Sequence, residues 1–211
     1  MPKPRFRGRL HQAAFLVSIP AGLALVAAAP TTTARAAAVV YALSLIALYG
    51  TSAAYHRLPW SPKGQRWMKR LDHSMIFMLI AGTYTPFSLL VLPWPWSVVI
   101  LAVAWGGAAL GIALKMAHID GLRTLTGALY IALGWLAIVA LPQMVRGLSG
   151  PAIGLLFAGG ALYTAGAVVL SRRRPDPRPS IFGYHEIWHS LVIGGSLCHY
   201  ALVFLIVQGV R

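Results

Sequence analysis

Two histidines, His185 and His189, stand four residues apart with Glu186 directly after the first. On a helix this spacing puts both imidazoles on one face, about 6 Å apart along the axis. Such a pair can hold half of a metal site. The string His185-Glu186-Ile187-Trp188-His189 also has the form of the zinc metalloprotease signature, in which the glutamate is the general base. A third imidazole, His56, has Ser52 one turn before it on the same helical face. Three neutral imidazoles from two segments are the ligand set of an open zinc site, which keeps its fourth position for water. Zinc lowers the pKa of that water to about 7. A carboxylate from a further segment, Asp72, can accept a hydrogen bond from the water or take its proton. The chemistry these residue types permit is metal-assisted hydrolysis.

The elements that must position them are read from composition. With 58% hydrophobic residues, 10% charged residues and a mean hydropathy of +0.70, the 211-residue chain is an integral membrane protein and not a soluble domain. The net charge of +14 raises nucleic acid as a partner. That partner is excluded, because the basic residues are confined to connections between apolar runs and form no patch on a soluble face. The single cysteine, Cys198, lies inside an apolar run, forms no internal disulfide, and is expected to act as a small hydrophobe.

Apolar segments long enough to cross about 30 Å of hydrocarbon run over residues 13–29, 36–56, 72–92, 95–115, 122–141, 152–171 and 185–208. They predict an all-α, polytopic membrane protein built as one bundle of seven transmembrane helices. The N-terminal stretch has the charge and apolar core of a signal peptide. Pro30, at the would-be first mature position, argues for its retention as the first helix. Pro20 and Pro86 are expected to kink their helices, with Thr83 and Thr85 or neighbouring helices satisfying the freed backbone groups. Gly107 and Gly111 are expected to let helices approach closely.

Lys3, Arg5, Arg7 and Arg9 precede the first span, and Arg57, Lys63, Arg66, Lys69 and Arg70 follow the second. Lys115 and Arg123 flank the fourth loop, and Arg172, Arg173, Arg174 and Arg178 the sixth. The other side has only Arg35, Arg146 and Arg211. Positively charged loops stay cytoplasmic, so the N-terminus is expected inside and the C-terminus outside, in the cell membrane. His56 then ends the second span, Asp72 begins the third, and His185 with His189 begins the seventh. All four fall near the cytoplasmic face and can converge at one depth.

The segments SAAYH (52–56), LDHSMIFMLIAGTYTPF (71–87) and YHEIWH (184–189), with LGW at 133–135 and ALYTAG from Ala161, resemble the hemolysin III family. That family lies within the wider group of progestin and adiponectin receptors and is more distantly related to alkaline ceramidases. The resemblance runs through essentially all seven spans. It implies a seven-helix bundle with an intramembrane Zn2+ near the cytoplasmic side, held by His56, His185 and His189. It also implies that Asp72 and Ser52 contact the water on that ion. Its activity stays open, because bacterial members are named for a cytolytic phenotype whereas relatives include receptors and ceramide hydrolases.

Proteolysis is disfavoured. Asp72 offers a base from another helix, the resembling family does not require glutamate after the first histidine, and nothing in the chain suggests a peptide-binding strand. Glu186 is expected to be an interfacial residue pairing with Arg172 or Arg178. His73 should point about 100° from Asp72, and His199 lies about 15 Å beyond His189 along its helix, too far to share the ion. His199 is expected to make a hydrogen bond between helices, and His11 and His118 to face headgroups. The arginine run 172–174 is expected to meet anionic lipid.

Two functions fit this constellation. In the first, a zinc-dependent hydrolase cleaves an amide or ester of a membrane lipid, with Asp72 shuttling the proton and Ser52 orienting the water. In the second, zinc is a structural clasp in a non-catalytic, receptor-like or membrane-homeostasis protein. A pore-forming cytolysin ranks third, since so few charged residues cannot line a wide aqueous channel. Membrane lipids are the expected partners, and the chain sets no oligomeric state.

Overall fold

A computed structural model describes residues 4–210. Lys3 and Arg211, two of the residues in the charge asymmetry, lie outside the described residues. Among the described residues the chain forms eight α-helices: α1 (Arg9–Ala27), α2 (Thr32–Arg57), α3 (Pro62–Leu90), α4 (Trp96–Ala117), α5 (Arg123–Gly134), α6 (Leu141–Gly147), α7 (Gly150–Arg172) and α8 (Tyr184–Gly209). No strand forms among them beyond an isolated bridge between Arg178 and Phe182.

Local chemistry starts these helices. The hydroxyls of Thr31, Ser61 and Ser149 accept from the backbone N–H of Ala34, Gly64 and Ala152, each satisfying one donor that a helix N-terminus leaves unpaired. Pro62 occupies the first position of α3, where its missing N–H costs nothing. In α8 the carboxylate of Glu186 reaches back to accept from the N–H of Gly183 at 2.9 Å.

Six helices, α1 to α4, α7 and α8, are long and apolar enough to span a membrane. Their outward faces carry exposed large hydrophobics, among them Leu16 and Leu23 on α1, Leu43 on α2 and Leu110 on α4. A fold in water would bury such residues; here they are the lipid-facing surface of an all-α, polytopic membrane protein. The centre of the bundle is α2, packed against α1 and α3, with α8 lying across all three and α7 outside it. Its core includes Leu25, Tyr41, Leu45, Leu79 and Val203.

The stretch expected as a single fifth span, 122–141, is not one straight helix. α5 stops at Gly134, a 3-10 turn covers Leu136–Ile138, and α6 starts at Leu141 with Pro142 in its first turn. The two parts are bent by 49°, and count as a seventh crossing only if the bent pair is one span. Gly134 gives little support to helix propagation, and a break in apolar surroundings leaves backbone groups that need new partners. The Tyr84 hydroxyl supplies them, donating to the Gly134 carbonyl at 3.1 Å and accepting from the Ala137 N–H at 2.8 Å.

α1 and α3 remain continuous through Pro20 and Pro86. Thr83 and Thr85 bond the carbonyls of Leu79 and Ala81, not that of Gly82, which Pro86 leaves without its usual i+4 donor. A Cβ on Gly107 would lie 2.6 Å from Leu133, and one on Gly111 would enter the Phe77 ring. Both glycines therefore set the close approach of α4 to its neighbours.

The basic segments gather at one end of the bundle. Arg5 and Phe6 donate backbone hydrogen bonds to the carbonyls of Ser180 and Ile181, at 3.0 and 3.1 Å, and Lys69 bonds Asp120 between α3 and the α4–α5 loop. The hydrogen bond from Lys69 holds the exposed Asp120 carboxyl below the usual carboxylate range. Because α3 begins at Pro62, the residues Lys63, Arg66, Lys69 and Arg70 lie on its first turns and not in a loop. Asp72 is thus about 15 Å along the helix from its start.

Candidate metal centre

His56 sits in the last turn of α2, and His185 and His189 are one turn apart at the start of α8. The Nε2 atoms of His56 and His185 are 3.2 Å apart, and one ligand nitrogen from each of the three histidines lies within 4.8 Å of the others. Ring centroids are separated by 4.5 Å for His185 and His189, 4.9 Å for His56 and His185, and 5.3 Å for His56 and His189. A tetrahedral ion with metal–nitrogen bonds of about 2.0–2.1 Å holds two nitrogens about 3.3 Å apart. His189 is 1% exposed, and its Nε2 has no hydrogen-bond partner among the described residues. A buried imidazole nitrogen left without a partner needs an explanation. A metal ion, which the three rings are able to hold, gives one.

Ser52 lies on α2 one turn before His56, and Asp72 lies on α3. Both side chains are buried, and the Ser52 hydroxyl lies against the Asp72 carboxyl. The Asp72 Oδ2 is 3.6 Å from His73 Nδ1, but His73 makes its closer bond, 2.8 Å, to the Lys69 carbonyl one turn back. His73 therefore serves the turn of α3 and is not one of the three clustered imidazoles. His199 meets the Leu156 carbonyl of α7 at 3.3 Å, the interhelical bond expected of it. His118 is exposed at the end of α4, and Cys198 is half-buried and free.

Two residues are placed differently from expectation. Glu186 is fully buried, not interfacial, and its partner is Arg7, whose Nε lies 2.6 Å from Oε1, and not Arg172 or Arg178. Its other oxygen accepts from Gly183. Both carboxylate oxygens are committed to holding the N-terminal segment and the start of α8. The general-base role of a protease signature finds no support in that arrangement.

His11 does not face headgroups. It is 3% exposed, its Nδ1 is 2.8 Å from the Ser52 Oγ, and its ring stacks on His189 with centroids 3.7 Å apart and an interplanar angle of 11°. The topological rule that put His56, Asp72 and His185 at one depth places His11 there too, since it lies in the first turn of α1 at the same end. What the sequence lacks is the face: α1 is apolar nearly all round, so no periodicity shows which side turns inward.

The chain matches the haemolysin-III related family over residues 1–200. It is 38% identical over 190 residues to a protein named Hemolysin-3 from Bacillus cereus, covering 88% of this chain and 83% of that one. It is 35% identical over 157 residues to a Hemolysin-3 homolog from Bacillus subtilis (strain 168), covering 74% of this chain and 70% of the relative.

Proposed function

Since this chain belongs to the haemolysin-III related family, we propose that it is a zinc-binding membrane protein that hydrolyses an amide or ester bond of a membrane lipid. The observation that carries this proposal is the convergence of three imidazoles from α2 and α8, with a buried serine one turn before His56 and a buried carboxylate hydrogen-bonded to that serine. The all-nitrogen donor set suits zinc, and three protein ligands leave a position for water or substrate.

His56, His185 and His189 would hold the ion. When bound, zinc supplies a Lewis acid that polarises a carbonyl oxygen and makes water a nucleophile near neutral pH. Asp72 accepts the proton of the attacking water at a carboxylate oxygen and returns it to the leaving group. Ser52, lying against Asp72, orients that water and fixes the carboxylate through their hydrogen bond. The N-terminal segment closes the aqueous end of the site, through its backbone bonds to Ser180 and Ile181 and the contact of Gly8 with His56. This favours a substrate entering sideways between helices from the bilayer, on the cytoplasmic side by the distribution of positive charge.

Asp72→Asn is expected to retain zinc by elemental analysis while lowering turnover about 10²–10⁴-fold, the usual range for loss of a general base. Lipidomics of membranes containing the wild type or this variant identifies the lipid consumed. Full turnover in Asp72→Asn would eliminate the mechanism.

One observation favours a second function, a structural clasp in a non-catalytic membrane regulator: α2 and α8 contact one another far less than either contacts its main partner. An ion shared by His56 and His189 would then join two otherwise weakly coupled helices. In that case His189→Ala unfolds the bundle at lower temperature, and the lipid profile is the same with and without the protein.

A further inference from the structure

We propose that His11 is a positioning residue of the metal centre, holding the His189 ring at its ligating angle and fixing the hydroxyl of Ser52. This inference rests on the histidine triad being the metal site.

Three observations carry it. The His11 ring lies flat on His189, 3.7 Å between centroids and 11° from parallel, so it closes one whole face of a ligand that has to keep its ring plane fixed. Its Nδ1 is hydrogen-bonded to Ser52 at 2.8 Å, which ties the same ring to the residue beside Asp72. The Tyr49 ring also packs against it in a T-shaped arrangement, centroids 5.1 Å apart, so the buried His11 has little room to turn.

The start of α1 sets the depth at which this happens. Gly8 has φ +76°, and a Cβ there would come within 2.6 Å of the His56 Cβ. α1 therefore begins in contact with the residue that bears one ligand, and His11 follows one turn later against the residue that bears another. Arg7 adds the ion pair to Glu186, which neighbours His185. Each clustered histidine is thus touched, directly or through the next residue, by the segment Arg7–His11.

The hydrogen-bond roles follow from the donor inventory. Ser52 has one proton, and with Asp72 as a carboxylate that proton goes to Asp72. His11 Nδ1–H then donates to Ser52. In the stack, the electron-rich face of neutral His11 lies over an imidazole that becomes electron-poor when it ligates a cation, an attraction of the cation–π kind. Stack and hydrogen bond act on different members of the site, so they are separable by substitution: phenylalanine keeps a flat ring, and asparagine places an N–H close to where Nδ1 was.

The full-length protein is purified in detergent, and zinc affinity is measured by chelator competition. Co2+ replaces zinc as a spectroscopic probe whose visible bands report ligand geometry. His11→Ala is expected to weaken zinc binding about 10- to 100-fold, the range seen when a group that orients a metal ligand is removed, and to shift the Co2+ bands. His11→Phe should restore the Co2+ spectrum, because the stack on His189 is kept. His11→Asn should restore the bond to Ser52 but not the spectrum.

Wild-type affinity and an unchanged spectrum in folded His11→Ala overturn the proposal. Loss of fold in all three variants also overturns it, because His11 would then be a packing residue. If the wild-type protein itself binds neither zinc nor Co2+, the triad is not the metal site and this inference falls with it. Wild-type binding with indifferent His11 variants removes the inference alone.

Discussion

Glu186 shows how burial changes the meaning of a residue. In the sequence it completes a protease signature; in the structure it is a fully buried anion whose counter-charge is Arg7, itself part-exposed. The two partners are unequal. Removing Arg7 strands a buried carboxylate, whereas Glu186→Gln removes the buried charge, keeps one acceptor oxygen for Gly183 or Arg7, and leaves the part-exposed Arg7 able to turn to water. Arg7→Met is expected to cost about 3–5 kcal/mol, the usual penalty for breaking a buried pair from one side, and Glu186→Gln clearly less. Chemical unfolding in mixed micelles measures both, and Glu186→Gln should keep its metal content. His56, His185 and His189 were legible because metal ligation needs specific residue types at helical spacing. His11 was not, since one histidine in a uniformly apolar helix has no visible face, and the partner of Glu186 lies 179 residues away.

At the scale of elements, the least legible one was the fifth span. An apolar run of about 20 residues satisfies the length requirement for crossing a membrane whether it is straight or bent. The bend depends on a group supplied by another helix: the Tyr84 hydroxyl on α3, which bonds both sides of the break. Tyr84→Phe is expected to leave the Ala137 N–H and the Gly134 carbonyl without that partner. The expected cost is about 1–3 kcal/mol, read as a lowered midpoint of thermal unfolding, with metal content unaffected. An unchanged midpoint would mean that other groups hold the break. By contrast α2, α7 and α8 match the apolar runs closely, because each starts after a polar or glycine-containing connection that an apolar span cannot contain.

For the whole molecule, the orientation proposed from the charge asymmetry puts the end of the bundle with Arg7, Lys63, Lys69 and the candidate metal centre toward the cytoplasm. Single cysteines in a Cys198→Ala background test it. A membrane-impermeant maleimide added to intact cells should label Trp94→Cys, in the exposed connection between α3 and α4, and should reach Lys63→Cys only after the membrane is opened. The reverse pattern would invert the orientation and put the candidate metal centre on the outer side. Under the proposed lipid hydrolysis, in which the N-terminal segment closes the site from the basic end, orientation also decides which leaflet delivers the substrate.

Composition and apolar run length alone determined that this is a helical membrane protein, because the bilayer admits only segments that satisfy their own backbone. Residue type and helical spacing determined which histidines could ligate a metal. The tertiary structure decided what sequence periodicity cannot encode in uniformly apolar helices. It turned His11 inward onto His189 and Ser52, gave Glu186 to Arg7, and bent the fifth span around Tyr84. Each of these depends on which face of a helix meets a neighbour, and in lipid nearly every face is apolar.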